Sequence, residues 1–127
     1  MTAIYLNVEN GKAPKVVDIE DNLNVFYKML NCKTIDIVTR KIGNNYYDII
    51  CDDNGLFKNV PITSAIDNKN KSAIVGNLLI VGLPNDEGDL QGLTDEQTFE
   101  VLKNSVMVLY YKENSIICFH YVLKLNQ

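Results

Sequence analysis

The chain is 127 residues long, 46% apolar, and carries a net charge of −4. That is one domain's worth of sequence, apolar enough to fill a core without a metal or disulfide staple. Its 12 basic residues are scattered, which argues against direct nucleic-acid binding through phosphate contacts. The 16 carboxylates they offset are too few for a surface that imitates DNA.

Three cysteines, Cys32, Cys51 and Cys118, stand far apart and form no CxxC pair. An odd count without a secretory leader reads as free thiols in a reducing compartment, so the expected location is the cytoplasm. The longest apolar runs fall short of the roughly 18 residues that a spanning helix requires, and no membrane association is expected.

In chain order, Ile4 to Val8 alternates as a strand and Asn10-Gly11 follows as a tight-turn signal. Lys15 to Glu20 then reads as the hairpin partner, with Pro14 marking an edge or a strand start. Asp21 or Asn22 can cap a short helix with Leu23, Phe26 and Leu30 on one face. Thr34 to Arg40 and Tyr46 to Cys51 form two strands about Gly43-Asn44-Asn45. Asp52 to Gly55 is a turn, Leu56 to Val60 a short strand ended by Pro61, and 63–72 an irregular polar loop with one turn of helix.

The run Ala73 to Val81 reads as a single strand covered on both faces, since only Gly76 and Asn77 interrupt it. An acidic loop, Asn85 to Asp89, leads to a helix announced by Thr94 and Gln97, three apart as in a capping box. Phe99 and Leu102 follow at helical spacing, with Glu96 and Glu100 on the other side. Ser105 to Tyr111 and Ser115 to Leu123 make a C-terminal β-hairpin about Lys112-Glu113-Asn114. Few helices against many strands predict an α+β fold: a mostly antiparallel sheet, two short helices and the C-terminal hairpin.

Chemistry-bearing patterns are scarce. The acidic loop resembles a calcium loop at Asn85, Glu87 and Asp89, but Leu90 occupies the position where that geometry needs glycine, and no helix enters it. A solvated connection with acids near a helix N-terminus accounts for it better. His120, the single histidine, shares a strand face with Cys118, about 6–7 Å away at the strand rise and too far for direct proton transfer. No hydrolase, phosphate-loop or zinc signature is present, so no catalysis, metal or cofactor is expected. The adjacent pairs Tyr46-Tyr47 and Tyr110-Tyr111 each turn one ring away from the core, and exposed tyrosine suits an interface.

Three segments, GKAPKVVDIEDNL, YYDIICDDNGLFKNVPITSAI and AIVGNLLIVGLPNDEGDLQGLTDEQ, resemble the family labelled domain of unknown function 3846. The last follows the pattern GxxLIVGxxxEGDxxxLTDEQ through Gly76, Leu79, Val81, Gly82, Glu87, Gly88, Asp89, Leu93, Thr94 and Asp95. The middle segment departs from the family at Ile62-Thr63-Ser64. The resemblance covers residues 8–103 of a single domain spanning 1–127, with 105–123 as an added hairpin. It implies a small protein of phages, plasmids or conjugative elements, and no defined activity.

Such company implies counter-defence, an associational step since fold and company do not fix function. The first expectation is a non-catalytic inhibitor that binds a host effector protein of the nuclease or CRISPR type, through Tyr110, Tyr111, His120 and Tyr121. The alternative is a sponge for a cyclic-nucleotide immune signal, held by backbone amides near Gly82 and Thr94 with charge from Arg40, Lys41 and Lys103. Open strand edges in so small a sheet also suggest a homodimer through the hairpin.

Overall fold

The computed structural model describes residues 1–54 and 62–127. Among these residues, nine strands and two helices run β1 Thr2–Leu6, β2 Lys15–Asp18, α1 Leu23–Leu30, β3 Ile35–Ile42, β4 Asn45–Asp52, β5 Thr63–Ile66, β6 Ser72–Val75, β7 Leu78–Val81, α2 Asp95–Lys103, β8 Ser105–Lys112 and β9 Ser115–Lys124. They form two sheets, in the orders β2-β1-β7-β4-β3 and β6-β5-β9-β8. All pairings are antiparallel except β5 with β9. The α+β class with two short helices, a mostly antiparallel sheet arrangement and a C-terminal hairpin is therefore what the chain adopts.

Alternation sends each strand of the first sheet to two different cores. Ile4, Leu6, Tyr47, Ile49, Leu78 and Ile80 face inward to meet Ala65, Ile74 and Leu123 of the second sheet, with Val101 of α2. Ala3, Ile50, Leu79 and Val81 face the other way, where Phe26 and Leu30 of α1 cover them. β7 is the middle strand, and all four of its residues are buried. The α1 helix starts where Asn22 accepts from the amides of Asn24 and Val25 (2.8 and 3.4 Å) and stops at Asn31 in the left-handed region. Leu23, expected on its buried face, is exposed.

The sequence reading of 73–81 as one strand is corrected. β6 and β7 are two strands in different sheets, separated by Gly76 at φ +85 and the buried Asn77. Gly76 donates its amide to the Ile62 carbonyl (2.8 Å), while the Asn77 side chain accepts from the Val8 amide (3.0 Å). Those two polar interruptions are the corner at which the chain passes from one sheet to the other. The polar stretch 63–72 is likewise corrected: it contains β5, whose Ser64 and Ala65 are buried. The strand expected at Leu56–Val60 lies outside the described residues.

The α2 capping box forms as its spacing predicts: the Gln97 amide donates to Thr94 Oγ1 (3.2 Å) and the Thr94 amide to Gln97 Oε1 (2.8 Å). Its buried face is only partly the one expected, since Leu102 packs against the inner core but Phe99 does not. Phe99 is exposed and Val101 is buried, while Glu100 turns inward to the β3–β4 turn. There it accepts from the Tyr47 hydroxyl (2.6 Å), the Asn45 side chain (2.8 Å) and the Asn44 amide (3.3 Å). Gly43 (φ +61) permits this approach, since a Cβ there would lie 2.8 Å from Glu100 Oε2. The hydrogen bond from Tyr47 holds the Glu100 carboxyl below its usual range, and burial raises the Tyr47 phenol above its own.

The end of β9 fastens the sheets together. The Leu125 amide donates to Ile66 O (2.9 Å), Asn126 N to Lys41 O (2.8 Å), and Lys41 N to Gln127 Oε1 (3.2 Å).

Candidate functional site

The β8–β9 hairpin has two parts of opposite character. At its root, Val122, Leu123 and Leu125 are buried among core residues. Among the described residues, only Leu123 and Lys124 of β9 pair with β5, and the rest of β9 extends beyond that pairing with β8 as its neighbour. Glu113 (φ +52) and Asn114 (φ +67) close the tip in the positive-φ pair that a two-residue hairpin turn needs.

Along that extension the side chains are apolar on both faces and uncovered. Val106, Met107, Leu109, Tyr110 and Tyr111 on β8 are exposed, as are Ile116, Ile117 and Phe119 on β9. Tyr111 and Ile117 reach 61% exposure, a value expected of lysine or glutamate on a soluble surface. Scattered exposed apolar residues are ordinary, whereas a contiguous group of this size marks an interaction surface.

A cleft of about 790 Å³ opens beside this surface, between the β1–β2 loop at Val8 to Gly11, Ile62-Thr63, and the β9 segment Ile116 to His120. Gly11 (φ +67) lets the loop pass close to β9, since a Cβ there would sit 3.2 Å from the Phe119 carbonyl. Tyr110 and His120 form one wall, stacked with ring centroids 5.5 Å apart and an interplanar angle of 17°.

Of the four residues expected to make contacts, Tyr110 and Tyr111 are both exposed, where only one ring of the pair was expected to turn away from the core. His120 is 6% exposed, as befits a sheet histidine in a core, with Nε2 3.0 Å from the Thr63 carbonyl. A carbonyl only accepts, so Nε2 carries the hydrogen, and the ring ties β9 to the start of β5 rather than reaching outward. Tyr121 is half-buried against the inner core. What the sequence reading missed were Met107, Ile117 and Phe119, whose signal was an apolar run in a strand pair with nothing predicted to cover it.

The alternative ligand set is only partly assembled. Gly82 and Thr94 line one cleft with Asn44, Tyr46, Gly92 and Gln97, whereas Arg40, Lys41 and Lys103 do not line it. Three of the amides a phosphate would use are engaged: Gly82 N donates to Gln91 O (2.9 Å), and the Thr94 and Gln97 amides serve the capping box. Asp95 and Glu96 in the first turn further oppose an anion there. The acidic loop is closed on itself, with Asn85 Oδ1 accepting from Glu87 N (3.0 Å) and Asp89 N (2.9 Å). Cys51 is buried, and burial raises its thiol to about 11, with Asp36 adding to the effect, which keeps it protonated at neutral pH.

The fold and surface define a two-sheet α+β domain with a projecting apolar hairpin and an adjoining cleft. A family model described as a domain of unknown function (DUF3846) matches residues 1–106, and the chain belongs to that family. The match begins at the first residue and ends just inside β8, so nearly all of the hairpin lies beyond it. No curated protein and no solved structure matches the chain significantly. Among the described residues, no helix is long and apolar enough to cross a membrane.

Proposed function

We propose that this protein is a non-catalytic accessory factor of a phage or other mobile element, acting in the host cytoplasm to bind and inhibit a host defence effector of the nuclease or CRISPR type. The observation that carries the binding part is the group of exposed apolar side chains on the β8–β9 extension, beside an open cleft. Burying such a surface is the main driving force for most protein association, and aromatic side chains contribute disproportionately. The counter-defence part rests on the mobile-element setting that the family resemblance implies, an associational step.

The test is reconstitution. The purified protein is added to candidate host nucleases and their activity measured, with native mass spectrometry of the mixture. A complex of fixed stoichiometry with loss of nuclease activity is expected, and Tyr111→Ala and Ile117→Ser should both restore activity. A small-molecule adduct after incubation in lysate from phage-challenged cells, with no protein partner, would instead favour the nucleotide sponge. Inhibition that survives both substitutions would remove the hairpin from the mechanism.

A further inference from the structure

We infer that the free edge of β8 pairs with β8 of a second copy, in the one register that aligns its uncharged run with itself, joining two four-stranded sheets into one of eight strands. This rests on the backbone of β8 and its side-chain order, independently of the effector reading above.

Among the described residues, β8 is the last strand of the second sheet, hydrogen-bonded to β9 alone. From Ser105 to Tyr111 it reads SVMVLYY, with no charge and no proline. Its ladder shift falls on the β9 side, where Ile117 is the additional residue, so β8 itself runs regularly. Natural edge strands are normally guarded by lysine, proline, a bulge or a covering element. β8 has none of the first three along these residues. Its side chains stand largely uncovered: Met107 is 49% and Tyr111 61% exposed.

The phase of the ladder selects the register. Lys124 donates its amide to Asn104 O (2.8 Å), so Asn104 and every second residue after it turn their backbone groups toward β9. Ser105, Met107, Leu109 and Tyr111 therefore present theirs to the open edge. In an antiparallel pair, residues directly opposite either both bond across or both face away. A two-fold axis must then pass through a residue, not between two. An axis through Val108 pairs the whole run with itself: Ser105 with Tyr111, Met107 with Leu109, and Val108 with its own copy. Every outward amide and carbonyl of the four residues gains a partner.

The same register sets the charges favourably. Lys112 falls opposite Asn104, so no like charges face each other along the paired strands. Such a contact is isologous and closes, giving a dimer rather than a fibre. The apolar faces of the two hairpins then lie side by side, and the partner-binding surface is presented twice.

Sedimentation equilibrium and cross-linking test this together. The full chain is expected at twice its 14.4 kDa mass. Val108→Lys, which places two ammonium groups on the axis, should return it to the monomer mass with its circular dichroism unchanged. Val108 is a non-hydrogen-bonded self-pair in this register, with Cα atoms roughly 4.5 Å apart, within disulfide range. Val108→Cys in a Cys118→Ser background should therefore cross-link on oxidation, and Met107→Cys in the same background should not. This second readout stands even if Val108→Lys fails to fold. A monomer at every accessible concentration overturns the inference, as does a dimer that cross-links at 107 and not at 108. An unsubstituted chain that is monomeric and still binds the effector would sink this inference and leave the proposed function standing.

Discussion

β7 and the β8–β9 extension are written in much the same alphabet, LLIV in one and SVMVLYY with IICF in the other, yet they do opposite things. β7 has a strand on each side, α1 over one face and the second sheet over the other, and its residues are at most 1% exposed. Among the described residues, β8 has a neighbour strand on one side only, and the apolar side chains of the hairpin reach 61% exposure. The contrast separates two uses of apolar surface. In β7 it stabilises the folded chain. On the hairpin it adds little to folding and is available for association.

Substitutions sharpen that contrast, and the largest effect is expected in the middle strand. Ile80→Ala removes a side chain packed in the inner core and should cost about 2–5 kcal/mol in urea unfolding. A smaller value would mean that the two sheets collapse onto the cavity. Glu100→Ala leaves the Tyr47 hydroxyl without its acceptor and should cost about 1–3 kcal/mol, while Glu100→Gln, which retains an oxygen acceptor, should cost less.

The same carboxylate gives a pH dependence of fixed sign. Its folded pKa is lowered, chiefly by the hydrogen bond from Tyr47, so the stability it contributes is present above the unfolded carboxylate pKa. That contribution is lost as pH falls through the folded value. Chemical denaturation from neutral to acid pH should show a loss that is reduced in Glu100→Gln. Equal acid sensitivity in both proteins would assign the loss to other groups.

At the corner between the sheets, Gly76→Ala meets no atom within 4 Å but must adopt φ +85, and it should cost about 1–2 kcal/mol. The smallest effect belongs to the hairpin. Phe119→Ser should change unfolding stability by less than about 0.5 kcal/mol while lowering the affinity for the effector. A Phe119→Ser loss as large as that of Ile80→Ala would break the comparison, because the hairpin would then be core.

Local signals carried much of this fold. Asn22, the Thr94–Gln97 pair and the Glu113-Asn114 turn are short-range devices, in which a side chain or a φ angle acts on backbone a few residues away. Alternation likewise placed β1, β3 and β4 to within a few residues, because a strand's two faces are set by its own geometry. The family, too, was readable from a motif that spans β7 and the start of α2.

Tertiary structure decided the rest. Hydrophobicity marks that 73–81 is interior, but not that Gly76 divides it between two sheets, since that depends on which strands, distant in sequence, offer a free edge. The side of α2 that turns inward was set by Tyr47 and the β3–β4 turn, more than fifty residues away, and so Glu100 is drawn in where Phe99 was expected. The candidate surface was half visible. Tyr110 and Tyr111 stood out as aromatic residues in a strand, while His120 reads the same in sequence whether it points to solvent or to the Thr63 carbonyl. Sequence determines which residues are apolar and how they alternate, and only the packed chain determines which of them are left without a cover.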